Sequence, residues 1–127
     1  MITVTAAIIH KESKILIARR TPHKHLGGLW EFAGGKIEAG ESAEECLKRE
    51  LKEELGITVK VGDFYMENHH QYPEKEILLK AYFCELVSGD IVLNDHDQVE
   101  WVERTEFKNY QFAPADIPII KALTNGI

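Results

Sequence analysis

Cysteine is scarce in this chain of 127 residues: Cys46 and Cys84 stand far apart and form no CxxC pair. Two lone thiols in a chain without a signal segment read as reduced and cytoplasmic. Long apolar runs are also missing, and none approaches the ~20 residues that a membrane span needs. The apolar start, residues 1–11, lacks a basic opening and a cleavage site, so no secretory leader is expected. A positive excess is missing as well. The net charge is -6, which argues against nucleic acid as the main partner, because phosphate backbones call for a basic stripe. Repeats, low-complexity tracts and linkers are absent. What remains is an apolar content of 44% and a length that suits one domain over residues 1–127, enough to bury a real core. An acidic protein can still hold phosphates if bound cations reverse the local sign, so metal dependence is an expectation from charge alone.

The coarse pattern mixes strands and helices. Residues 3–9 and 14–18 are β-branched and apolar around a polar turn, and read as a hairpin. Residues 19–28 form a loop with Pro22 and two glycines. Residues 29–33 read as a short strand leading into Gly34-Gly35. Residues 42–55 are the clearest helix. Ser42 is a good N-cap, Glu45 completes a capping box, and Gly56 sits at the C-terminal stop. Ala43, Leu47, Leu51 and Leu55 form its buried stripe. Residues 57–61, 64–67 and 99–102 suggest strands. Residues 77–87 form a longer one, with the poor alternation of a strand covered on both faces. Residues 114–123 read as a final helix with Asp116 in its first turn. This order predicts an α/β/α sandwich around a mixed sheet.

The helix over residues 42–55 carries Glu50, Glu53 and Glu54. Spacings of three and four put these acids on one face, beside the apolar stripe. Glu45, Lys48, Arg49 and Lys52 are assigned to the outward side. Glu-rich helices are usually solvated surfaces. Here the three acids would repel one another beside a buried stripe unless compensated, and hard cations such as Mg²⁺ or Mn²⁺ supply compensation through oxygen ligands. Gly34-Gly35 lets the backbone turn tightly and present a carbonyl to a metal or phosphate. Lys36 can reach a phosphate oxygen, and Glu41 stands just before the helix.

The order of these residues decides between the two readings. Gly35, five residues, Glu41, seven residues, Arg49-Glu50-Leu51, one residue, Glu53-Glu54, one residue and Gly56-Ile57 resembles the Nudix box at each of its defined positions. The resemblance implies a Nudix hydrolase: an α/β/α sandwich that uses Mg²⁺ or Mn²⁺ to hydrolyse a nucleoside diphosphate linked to another group. Glu50, Glu53, Glu54 and the Gly34 carbonyl would then be metal ligands. Glu54 or a neighbour would help activate water. Arg49 would orient the glutamates, and Glu41 would support the metal shell.

The likeness covers nearly the whole chain. Leu29-Trp30-Glu31-Phe32 with Gly34-Gly35-Lys36, and residues 112–118, resemble the MutT subgroup, which cleaves nucleoside triphosphates to monophosphate and pyrophosphate. Ala33 and Ala113-Pro114-Ala115-Asp116 look most like its CTP pyrophosphohydrolase branch, which acts on CTP, dCTP, 5-methyl-dCTP and oxidised purine nucleotides. The 8-oxo-dGTP-specific pattern has proline where Ala33 stands and asparagine where Asp116 stands. An ionised Asp116 only accepts, and would suit an exocyclic amino group; a protonated one regains a donor. By the same resemblance Phe32 would pack near the base, and Arg20 would contact the sugar or base. Tyr72 and Lys75 stand on a loop that could close over the nucleotide. Asp95 matches an acidic position that approaches a metal or acts as base, yet Asn94-Asp95 is also ordinary turn chemistry.

Other residues read more plainly. His69-His70 lacks a third ligand at recognisable spacing and reads as solvated. His96 is placed near the site only by its neighbour Asp95. Trp101 reads as core, and Cys46 as a small buried filler. Gly35-Lys36 is not a P-loop, since the earlier glycine and following Ser/Thr are absent. Three functions follow. The first is a nucleoside triphosphate pyrophosphohydrolase of the nucleotide pool, including the 8-oxo-dGTP-specific variant, working as a monomer or homodimer without nucleic acid or membrane. The second is a Nudix hydrolase of another nucleoside diphosphate derivative. The third is a non-catalytic nucleotide sensor, which the intact box disfavours.

Overall fold

The computed structural model describes residues 1–126. Six strands form one mixed sheet: β1 (Ile2–Lys11), β2 (Lys14–Arg20), β3 (Trp30–Glu31), β4 (Thr58–Gln71), β5 (Glu76–Ser88) and β6 (His96–Glu103). Helix α1 (Ala43–Leu55) packs on one face, and α2 (Ile117–Thr124) on the other with a 3-10 helix at Arg104–Asn109. Successive side chains of a strand point to opposite faces. Ala6 and Ile8 of β1 therefore join Ile15, Ile17, Ile119 and Leu123, while Ala7 and Ile9 join Leu47, Leu51 and Leu55. The two cores are the layers of the expected sandwich. Each fully buried leucine of α1 contributes roughly 1.5–3 kcal/mol.

The sheet contains a split that positions the site. β1 pairs in parallel with β5 from Ile2 to His10. Its antiparallel pairing with β2 is confined to the turn end, at His10↔Ile15 and Lys11↔Lys14. β2 then pairs with β3 on that same edge and with β6 on the other. The edge of β1 left open is filled by residues 33–37. Ala7 N–H donates to the Ala33 carbonyl and Thr5 N–H to the Gly35 carbonyl, both at 2.8 Å, and Ile37 N–H to the Thr3 carbonyl at 3.0 Å. A loop that would otherwise run over the surface is thus held as part of the sheet.

Local expectations hold with adjustments. Ser42 accepts from Glu45 N–H and the Glu45 side chain answers Ser42 N–H, a complete capping box. Gly56 adopts φ 68° and donates back to Leu51 and Lys52 carbonyls. Cys46 replaces Ala43 in the buried stripe. Residues 57–61 and 64–67 belong to one strand, β4, whose register slips on either side of Phe64. β3 keeps two of its five expected residues, and β6 starts earlier than expected, at His96. β5 is central, but its covering is uneven: Ile77, Leu79 and Ala81 are buried, while Leu78 and Lys80 are half-buried. The final helix opens as a 3-10 turn at Pro114–Asp116. Pro118 has no N–H to reach the carbonyl of Pro114, so Ile117 N–H takes it in the tighter pattern.

Candidate active site

Close approach requires both glycines of the loop. A Cβ on Gly34 would lie 2.0 Å from the Thr5 carbonyl oxygen, and one on Gly35 would lie 2.4 Å from the Glu50 carboxyl carbon. Gly35 therefore leaves room for Glu50. Gly34 N–H donates to Glu54 Oε1 at 3.2 Å, which ties the loop to the helix. The buried Cys46 thiol lies 3.4 Å from the carbonyl oxygens of Gly35 and Lys36, filling the angle between loop and helix.

Arg49 does not face outward. Its side chain is 25% exposed and spans the acidic face, donating to Glu41 (2.7 and 3.0 Å), Glu50 (2.7 Å), Glu53 (3.3 Å) and the Lys36 carbonyl (3.1 Å). A guanidinium carries five donors, enough to serve several acids at once. These bonds hold the Glu41 carboxyl down at about 2. They also work against the burial that raises Glu50.

The far end of α1 is capped by residues 90–95. Val92 N–H, Asn94 N–H and Asn94 Nδ2 donate to the carbonyls of Leu55, Glu54 and Glu53, at 3.0, 3.1 and 3.0 Å. A helix end needs such partners. Here they also bring Asp95 to Glu54. Burial, Asp95, Glu31 and Glu50 together push Glu54 up to about 9. Burial opposes ionisation of Asp95 too, but hydrogen bonds from Lys24 and Glu54 outweigh it, and Asp95 falls below its ordinary value. Lys24 makes a tight ion pair with Asp95, and buried His96 lies 2.9 Å from Glu31. So much negative charge in one place calls for a cation.

The cleft continues to a base-sized end. A cavity of about 140 Å³ is lined by Arg20, Phe32, Gly34, Glu54, Tyr72 and Asp116, among others. A larger cavity of about 630 Å³ lies along the Arg104–Asn109 helix and α2, but it is apolar and contains none of these acids. Asp116 is buried and accepts from Phe32 N–H at 3.1 Å through Oδ2. Burial and the charge of Glu31 push its carboxyl well up, which favours the protonated one of the two forms. Tyr72 Oη accepts from Ala115 N–H at 3.0 Å.

The described residues bring together most of the expected set. Arg49, Glu50 and Glu53 share one face of α1 and Glu41 joins them from the loop before it, while Gly34 and Asp95 meet Glu54. Arg20, Phe32, Tyr72, Lys75 and Asp116 line the cavity. Tyr72 and Lys75 stand at the turn between β4 and β5. Their backbones close a tight turn with bonds of 2.8 and 3.3 Å, and Tyr72 is buried. The Lys36 side chain is exposed and outside the cavity lining; its backbone carbonyl serves Arg49. His69 pairs with Glu76, and Trp101 is half-buried under Lys11. Sequence reasoning missed Glu31, which pairs with both Arg20 and His96, and it missed Lys24. Glu31 lay inside the Trp30-Glu31-Phe32 run, and that run was the one signal the sequence offered for it.

The chain matches the NUDIX domain family over residues 4–122. It belongs to the Nudix hydrolases. A CTP pyrophosphohydrolase of Escherichia coli is 41% identical over 122 residues, 96% of this chain and 90% of that protein. An 8-oxo-dGTP diphosphatase of the same organism is 32% identical over 121 residues, 94% of each. The solution structure of the E. coli ORF135 protein superposes with a TM-score of 0.85 at 39% identity, covering 98% of this chain and 89% of that one. Nudix hydrolases use a divalent metal. The acids of the site fit one: Glu50, Glu53, Glu54 and the Gly34 carbonyl offer hard oxygen donors, and Asp95 adds another. Among the described residues no helix is long and apolar enough to cross a membrane.

Proposed function

We propose that this Nudix hydrolase cleaves nucleoside triphosphates to the monophosphate and pyrophosphate, clearing CTP, dCTP, 5-methyl-dCTP or oxidised purine nucleotides from the cytoplasmic pool. One observation carries the reading: Glu54, the last acid of the Nudix box, lines a cavity that ends at Asp116. The proposed cation is Mg²⁺ or Mn²⁺, held by Glu50, Glu53, Glu54 and the Gly34 carbonyl and supported by Glu41 and Asp95. Bound there, it would neutralise phosphate charge and lower the pKa of a bound water. The protein's own groups do the rest. Phe32 packs against the base, Arg20 reaches the sugar side, and Tyr72 and Lys75 hold the rim. Lys36 is placed to reach a phosphate oxygen outside the cavity. The acid that takes the water's proton is Glu54 or its neighbour Asp95. Water adds to phosphorus, the bridging P–O bond breaks, and pyrophosphate leaves. The protein works as a monomer or homodimer without nucleic acid or a membrane.

Side-by-side kcat/KM values for CTP, dCTP, 5-methyl-dCTP, dGTP and 8-oxo-dGTP test this. Pyrophosphate release led by the cytosine nucleotides is expected, and silence with every triphosphate refutes it. Asp116 supports a second reading. Its raised pKa lets it offer donor and acceptor together, as 8-oxoguanine requires. Dominance of 8-oxo-dGTP in the same panel selects that reading.

A further inference from the structure

The apolar cavity along the Arg104–Asn109 helix and α2 has no part in cleavage. It measures about 630 Å³, a size that suits a ligand, and it shares no lining residue with the cleft. Buried Phe107 and Phe112 and half-buried Ile120 line it, and Ile117 in its wall is 38% exposed. An open apolar surface rimmed by polar groups marks an interaction site. The polar groups here carry one sign. Arg104, Lys108 and Lys121 line the groove, no acid does, and among the described residues none of the three makes an ion pair. Arg104 donates to the Leu123 carbonyl at 3.2 Å and meets His10 Nε2 at 3.4 Å, and a guanidinium has further donors to offer. The neighbouring Glu106 is turned back on the Glu103 N–H at 3.2 Å. Three such cations around an apolar groove, on a chain of net charge -6, complement an acidic partner. The side-chain amides of Gln111 and Asn125 have no hydrogen-bond partner among the described residues. Each offers donor and acceptor together, which suits a peptide backbone. A second copy does not fit, because two-fold pairing of this groove with itself sets cations against cations.

We propose that this groove docks an acidic peptide segment of a partner protein. Its apolar side chains pack on Phe107, Phe112 and Ile120, and its carboxylates meet Arg104, Lys108 and Lys121. Because other residues line the cleft, docking recruits the hydrolase and leaves its active site open.

A random peptide library panned on the full chain tests this. The enriched peptides interleave Asp or Glu with Leu, Ile or Phe, and they shift the amide resonances of residues 104–112 and 117–125 in ¹⁵N-labelled protein. Lys108 and Lys121 are exposed, so the double variant Lys108→Glu with Lys121→Glu keeps the fold. It binds the enriched peptides about tenfold or more weakly, with nucleotide turnover unchanged. No enriched peptide, enriched peptides without acids, or affinity that survives the double variant overturns the proposal. A single-stranded oligonucleotide that binds this face overturns it in favour of nucleic acid. A dimer that the double variant disperses overturns it in favour of a second copy.

Discussion

The two ends of the cleft are assembled differently. The acidic end stands on one helix, where Arg49, Glu50, Glu53 and Glu54 fall within six residues and share a face. Capping at both ends of α1 fixes their positions. The base end is assembled from distant segments. Phe32 and Asp116 meet across 84 positions, and Tyr72 and Ala115 across 43. Trp30 N–H donates to the Gln111 carbonyl, and Ala113 N–H to the Trp30 carbonyl, at 2.8 and 2.9 Å. A helix keeps its spacing through local bonds, so the chemistry is fixed by a short stretch. Base choice depends on long-range contacts that single substitutions can retune. Changes at the acidic end should therefore scale every substrate alike, and changes at the base end should reorder them.

The largest effect tests the first half of that statement. Glu53→Gln keeps the side chain's size and removes its charge. Because Glu53 is 61% exposed, the fold should be indifferent. We expect kcat to fall about a thousandfold or more for all triphosphates, with Tm moving by less than about 2 °C. A loss confined to one nucleotide would break the comparison. Asp116→Asn tests the other half. A fixed amide always offers donor and acceptor. The ratio of kcat/KM for CTP over 8-oxo-dGTP should fall about 10- to 100-fold. An unchanged ratio would move base choice away from Asp116. Tyr72→Phe is smaller again. It leaves buried Ala115 N–H without its acceptor, at a cost of about 1–3 kcal/mol in urea unfolding. KM should rise with little change in kcat.

The same contrast explains what could be read in advance. Helix α1, its capping box and Gly56 follow from local spacing, and the structure bears them out. The hairpin of β1 and β2 was legible for the same reason. The outward placement of Arg49 failed, because helical periodicity does not say that one long side chain will bridge three acids. The 57–61 and 64–67 segments concealed a single strand, since Gly62-Asp63 reads as a break while pairing with β5 carries the backbone through it. Glu31 could not be placed by spacing at all. Its partners, Arg20 and His96, come from strands that only the sheet topology brings together. The loop at residues 33–37 completes β1 because β2 diverges from it, a fact of register that no local pattern records.

The smallest effect separates the two ends through pH. Glu54 is raised in the folded protein from 4.5 to about 9. A carboxyl whose folded pKa lies above its unfolded value holds a proton longer in the native state. Its contribution to stability is complete below about pH 4.5 and is lost as pH rises towards 9. Metal-free protein should therefore lose stability across that window, and Glu54→Gln should reduce the loss by on the order of 1 kcal/mol or more. Asp116 is raised for the same physical reason and acts in the same direction. A divalent ion distinguishes them. It favours ionised Glu54 and cancels that part of the slope, but it leaves the Asp116 part in place. Urea unfolding at pH 5 and 9, with and without excess Mg²⁺, then assigns each part. A slope that neither metal nor Glu54→Gln alters would mean that the acidic end is not strained by its own charge, and that the base end alone holds the protons.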